Sequence, residues 1–187
     1  MTKPSDNAPT PSGDYTHAVK YDGGIMVSSI SNRRDISVFA NPLHRFNGDN
    51  QWALGLEALP AGMEYGEMVH AGIDTTEYLQ AAGSGPGAIT VEIRKRGGGQ
   101  WGAEWVRYVV GHAHDGEAPL DVPLNLPHSI QLVSQYEVFD ADEASELFYT
   151  YYKTGDIPAD YALRPVEGYT AAGGLIDLRD GVARPVD

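Results

Sequence analysis

Apolar residues recur along this chain at two periods, and the two periods separate its strands from its one long helix. From Gln51 to Leu59, Trp52, Leu54, Leu56 and Ala58 occupy every second position, the spacing of a strand with one buried face. Ala88 to Arg96 alternates Ile89, Val91 and Ile93 with Thr90, Glu92 and Arg94, and Trp101 to Val110 is rich in aromatic and β-branched residues. Gly97-Gly98-Gly99 between them predicts a hairpin, and this pair, with Trp101 and Trp105 both in its second strand, is expected at the centre of a sheet. Ala18 to Tyr21 and Ile25 to Ile30 predict two strands joined at Gly23-Gly24, and Asp35 to Phe39 predicts a third. Leu120, Val122, Leu124 and Leu126 alternate again, but Pro119, Pro123 and Pro127 remove three ladder donors and point to an edge, with a short strand from Ser129 to Val133 after it. Tyr161 to Val166 and Gly174 to Leu178 supply the last two. Between Ala61 and Ala82, Gly62, Gly66 and Gly72 interrupt any helical pattern until Thr75 to Ala82, where a short turn of helix is expected, followed by a loop over Gly83 to Gly87.

The 3.6-residue period appears once with force. Ala141, Ala144, Leu147, Phe148, Tyr151 and Tyr152 fall on one side at 100° per residue, opposite a stripe of Asp142, Glu146, Tyr149 and Lys153. Asp140 and Glu143 stand in the spacing of a capping box, Gly155 follows at the usual left-handed stop, and Lys153 sits in the last turn where the helix dipole favours cations. The expected fold is therefore α+β: a mostly antiparallel twisted sheet with one main amphipathic C-terminal helix packed on it. Residues 1–16, with Pro4, Pro9 and Pro11 and almost nothing apolar, read as a flexible tail. Residues 17–180 read as a single α+β domain, and residues 181–187 as a short C-terminal tail.

Composition narrows the chemistry. Glycine and proline make 34 of 187 residues, well above the roughly 12% of average usage, which suits turns and short elements. With no cysteine there is no disulfide framework, thiolate nucleophile or Cys-ligated metal. Thirteen Lys and Arg against 26 Asp and Glu leave a net charge of −13, which repels phosphate backbones and anionic membranes and favours a basic protein partner. The start, Met1-Thr2-Lys3-Pro4, carries no apolar run behind its charge, and no stretch is long and apolar enough to span a bilayer. A cytoplasmic protein that binds neither nucleic acid nor membrane is expected.

Few local constellations carry chemistry. His112-Ala113-His114-Asp115 offers imidazole and carboxylate, the ligands left for a metal-assisted hydrolase once cysteine is absent, but no second His-rich segment completes a set. The glycine-rich stretches open no helix and so form no phosphate cradle, and no nucleophile elbow is present. Arg94-Lys95-Arg96 beside Trp101, Trp105 and Tyr108 reads as a charged hairpin tip over core aromatics, not a stacking surface for nucleic acid. From Glu137 to Asp160 there are seven acids and one Lys, so nearly half of the net charge gathers around the predicted helix.

The segment from Glu137 to Pro158 resembles the C-terminal part of the Imm1 immunity proteins of bacterial polymorphic toxin systems. Those end with an amphipathic helix, then Thr-Gly-x-x-Pro, then a strand; here Thr154, Gly155 and Pro158 match the turn, while Ala162-Leu163-Arg164 stands where the family typically carries a Trp. The likeness is clearest over about 25 residues and extends loosely back through Ala88 to Val110. It implies a non-catalytic antitoxin, without cofactor or metal, that occludes the basic active-site groove of a cognate secreted toxin such as a nucleic-acid deaminase or nuclease. Asp142, Glu146, Tyr149 and Asp156 are the expected partner-binding residues; the alternative is a metal-dependent hydrolase built on His112, His114 and Asp115.

Overall fold

The computed structural model describes residues 14–186. In chain order the strands are β1 (Tyr15–Tyr21), β2 (Met26–Ser31), β3 (Ala53–Ala58), β4 (Tyr78–Gly85), β5 (Ala88–Arg96), β6 (Trp105–Gly111), β7 (Val122–Leu126), β8 (Ser129–Val133), β9 (Ala162–Tyr169), β10 (Leu175–Asp177) and β11 (Arg184–Val186). The helices are α1 (Ser37–Leu43), α2 (Tyr65–His70) and α3 (Ala141–Thr154). Nine strands pair antiparallel in the order β11-β10-β9-β6-β5-β4-β3-β1-β2, and β7 with β8 forms a separate two-stranded ribbon. The fold is α+β, with α3 packed on the sheet and β5 in its central position.

The alternation read from the sequence sets the two faces of this sheet. Leu54 and Leu56 of β3, Leu79 of β4 and Ile89, Val91 and Ile93 of β5 all point to one side and are buried there with Phe39 and Leu43 of α1 and Leu147, Phe148 and Tyr151 of α3. Each such side chain stabilises the fold by roughly 1.5–3 kcal/mol through burial. Every residue of the expected apolar stripe of α3 is buried. The helix is also tied at its far end, because the Tyr152 hydroxyl donates to the Ser31 carbonyl and accepts from the Arg34 N–H.

Several elements differ from the expectation. Asp35 to Phe39 is not a strand: the Asp35 carboxylate accepts the Ser37 N–H at 2.9 Å and opens α1, and Phe39, Leu43 and Phe46, all buried, follow the i, i+4, i+7 spacing of a helix. Thr75 to Ala82 is not helical but leads into β4, whose Leu79 and Ala81 are clamped between β3 and β5. That strand runs through Gly85, so only Pro86-Gly87 remains of the expected loop. Trp101 lies in a one-turn 3-10 segment before β6, leaving Trp105 alone in the strand. The proline-bearing strand forms the β7–β8 ribbon and not an edge of the main sheet. Residues 1–13 of the expected tail lie outside the described residues, while Tyr15 and Thr16 belong to β1. Arg184–Val186, expected in the C-terminal tail, pair with β10.

Candidate functional site

α3 presents the first candidate surface. The Asp140 carboxylate accepts the Glu143 N–H at 2.9 Å, and Gly155 closes the helix in the left-handed region at φ 78° with its N–H on the Tyr151 carbonyl. With one side of the helix buried, Asp142 and Glu146 are exposed and Tyr149 is half-buried on the other. The surface is not purely acidic. Asp142 lies 2.9 Å from His44 Nε2, and the Lys153 ammonium donates to the Asn32 carbonyl while sitting 5.3 Å from the Tyr149 ring. Asp156 stands beyond the helix end, where both its carboxylate oxygens accept from Lys95 Nζ at 2.9 Å. The fold thus brings Asp142, Glu146 and Tyr149 together and holds Asp156 apart.

Of the seven acids between Glu137 and Asp160, Glu137 is buried and Glu143 is only partly exposed, each held by partners from other elements. Glu137 is 5% exposed and receives the Arg164 guanidinium at 2.6 and 2.9 Å. Glu143 leaves the reciprocal half of the capping box unmade and turns inward, accepting the Tyr161 hydroxyl at 2.8 Å and facing His112 Nε2 at 2.9 and 3.0 Å. Burial, then the Glu143 carboxylate, pushes the Tyr161 hydroxyl up to about 12.

The histidine loop does not assemble a metal site. His112 Nδ1 faces the Tyr136 carbonyl at 2.9 Å and Nε2 faces Glu143, so both ring nitrogens meet oxygen acceptors. His114 stacks on Tyr136 with ring centroids 4.4 Å apart, and Asp115 is exposed. Among the described residues no group of three or more His, Asp or Glu is arranged to hold a metal ion. His112, Glu143 and Tyr161 instead clamp the end of β6, the first turn of α3 and the residue before β9. Separations of 31 and 18 residues hid this trio from any local motif.

The second face of the sheet carries a polar system that the sequence reading did not assign. Strand register places Lys20, Gly55, Gln80, Glu92, Val109 and Arg164 in one row across six strands. A neighbouring row runs Glu57, Tyr78, Arg94, Arg107 and Glu167. Arg94 and Arg107 are direct cross-strand neighbours, a like-charge pairing that costs energy unless each cation is answered. Arg107 is answered by Glu92 at 2.7 Å and by Glu167 at 2.8 and 3.2 Å, and Arg94 stacks 3.8 Å over the Tyr169 ring. Burial tends to raise the Glu167 carboxyl, but hydrogen bonds from Arg107 and Tyr169 outweigh it and hold it below the ordinary range. Burial, reinforced by the Glu167 hydrogen bond, moves the Tyr169 hydroxyl up to about 12.

This floor is open. The β7–β8 ribbon stands over part of it and leaves a groove of about 530 Å³, into which small Ala82 and buried Thr90 give depth and along which Trp52 forms a side. The signal in the sequence was the polar half of the β5 alternation, Thr90, Glu92 and Arg94, which a one-sided sheet would turn to solvent; here Thr90 and Glu92 are 1% and 7% exposed.

No protein-family model matches the chain, and no curated protein or solved structure matches it either. No helix among the described residues is long and apolar enough to cross a membrane.

Proposed function

We propose that this protein is a non-catalytic inhibitor of the immunity-protein kind, which binds a basic cognate toxin domain and covers its active-site groove. The observation that carries the reading is the outward face of α3. Asp142, Glu146 and Tyr149 stand together on a helix whose opposite stripe is wholly buried. A tyrosine flanked by carboxylates on a rigid element offers a large contact at low entropic cost, and the overall charge of −13 steers a cationic partner toward it. The resemblance of Glu137 to Pro158 to Imm1 proteins supports the same role, and the engagement of His112 with Glu143 and of His114 with Tyr136, with Asp115 left exposed, favours it over a metal-dependent hydrolase.

Calorimetry and a pull-down with the product of the adjacent gene test the proposal. Stoichiometric binding is expected, weakened at least tenfold when Asp142, Glu146 and Asp156 are changed together to Lys. The pairs lost in that variant, Asp142 with His44 and Asp156 with Lys95, are solvent-exposed and contribute about 1 kcal/mol or less each, so the protein stays folded. Absence of binding refutes the function; binding indifferent to the triple change refutes the surface.

A further inference from the structure

The groove on the second face of the sheet is lined by Arg107, Arg164 and Arg179 against a single acid, Glu92, in a chain whose net charge is −13. Glu92 is answered where it stands: its Oε2 accepts Arg107 Nη1 at 2.7 Å and the Gln80 amide at 2.6 Å. Glu137 and Glu167, which pair with Arg164 and Arg107, are not part of the groove wall. Donors remain after these pairs are made, because a guanidinium donates once from Nε and twice each from Nη1 and Nη2. Arg164 gives Nε and Nη2 to Glu137, and its Nη1 makes no hydrogen bond among the described residues. Arg179 is freer still. It is 61% exposed, its closest carboxylate oxygens lie 3.4 Å away on Asp177 and 3.7 Å away on Glu167, and its guanidinium makes no hydrogen bond among the described residues. The Leu178 N–H donates to the Val166 carbonyl and sets Arg179 next to β9, so Arg164, Val166 and Arg179 form one end of the groove. Arg94 is the cross-strand neighbour of Arg107 on the same side of the sheet. It makes no ion pair among the described residues; its Nε is buried without a partner and its guanidinium stacks on the Tyr169 ring. No carboxylate answers that charge, which adds to the positive field at this end.

The β7–β8 ribbon supplies an apolar wall to the same groove, where Ile130 and Leu132 of β8 are 68% and 54% exposed. We propose that the groove binds a small organic anion, a single carboxylate on an apolar body, with Arg164 and Arg179 donating to the carboxylate and Ile130 and Leu132 covering the body. The planar fork of a guanidinium matches the two oxygens of a carboxylate, and the volume of about 530 Å³ suits a small molecule. A single charge is what the site can balance, because Arg107 is already spent on Glu92 and Glu167. The negative charge of the whole chain repels acidic proteins and nucleic acids, which leaves a free small molecule as the occupant. The site lies on the side of the sheet opposite α3, so it stands or falls independently of the inhibitor reading.

Titration of the ¹⁵N-labelled full chain with sodium 4-phenylbutyrate and, at equal ionic strength, with 4-phenylbutylamine, sodium acetate and inorganic phosphate tests the site. Saturable shifts are expected at the amides of Glu92, Gln131, Arg164 and Arg179 with phenylbutyrate and not with the amine. Acetate, which lacks the apolar body, binds roughly tenfold more weakly or worse. Arg179→Gln weakens phenylbutyrate roughly fivefold, and Leu132→Glu, which sets a carboxylate into the apolar wall, roughly tenfold. Both side chains are exposed, and thermal unfolding verifies that each variant is folded. Arg33→Gln removes the same charge from an exposed position just after β2, at the other end of the sheet, and leaves binding unchanged, which separates a site from an effect of net charge. Absence of saturation with phenylbutyrate, equal or tighter binding of the amine, tighter binding of phosphate than of phenylbutyrate, or no greater weakening by Arg179→Gln than by Arg33→Gln would each overturn the proposal.

Discussion

Replacing Glu137 by Gln tests whether acids that cluster in the sequence also cluster on the surface. The Glu137 side chain is 7% exposed and holds three hydrogen bonds: Arg164 Nε at 2.6 Å, Arg164 Nη2 at 2.9 Å and the Ser134 N–H at 3.0 Å. Glutamine keeps an acceptor for Ser134 but removes the charge that answers Arg164, whose side chain is only 28% exposed. Breaking one half of a buried pair costs about 3–5 kcal/mol, and partial rehydration of Arg164 puts the expected loss near the lower end, about 3 kcal/mol. For a domain of this size that lowers Tm by roughly 6–12 °C. Urea unfolding is the assay, with the midpoint falling and m unchanged. The double variant Glu137→Gln with Arg164→Met removes both charges and is expected to recover at least about 2 kcal/mol of the loss, a coupling that independent surface charges do not show. A loss below about 1 kcal/mol, or additive single and double variants, refutes the buried pair and returns Glu137 to the exposed acidic surface.

His17 packs edge-on against Tyr152 at 4.8 Å, and burial, then the Lys153 charge, lowers its pKa from 6.5 to about 4. The unfolded chain therefore binds the extra proton between pH 6.5 and 4, so stability falls as pH falls through that window and is unaffected by this group above it. Discounted for partial exposure, the loss is on the order of 1–2 kcal/mol, and urea midpoints at pH 7 and 4.5 should show it reduced in His17→Phe; equal losses in both proteins refute it. Gly98→Ala is expected to cost about 2–4 kcal/mol, because φ is +93° and the new Cβ would lie 2.3 Å from Val106 Cγ2. Gly99→Ala, with open space around it, stays within about 0.5 kcal/mol by the same thermal unfolding measurement. Asp140→Ala loses the cap on the Glu143 N–H and about 1 kcal/mol, read from chemical denaturation.

The elements legible in the sequence were those whose own residues carry a complete pattern. β3, β5 and α3 each repeat one period over enough residues to define a buried side, and α3 also carries both its start signal at Asp140 and its stop signal at Gly155. α1 was misread because Ile36 and Val38 alternate over a short window, whereas the helical contacts of Phe39 reach forward to Leu43 and Phe46. β4 was missed because Leu79 and Ala81 are a weak stripe alone and become a strand only between β3 and β5. The surface of Asp142, Glu146 and Tyr149 was legible for the same reason as α3, since helical geometry places them together from spacing alone.

Charge behaved differently. The sequence by itself determined that the chain is acidic, that cysteine chemistry is absent, and that a sheet carries an amphipathic helix. Only the tertiary structure decided which acids remain surface charges, because Arg164 lies 27 residues from Glu137 and His112 lies 31 from Glu143, distances along the chain that no local period spans. The groove on the second face is likewise a product of register. Gln80, Glu92 and Arg107 come from three strands and meet because antiparallel pairing brings their side chains to the same side of the sheet, and the β7–β8 ribbon stands over part of the groove they line.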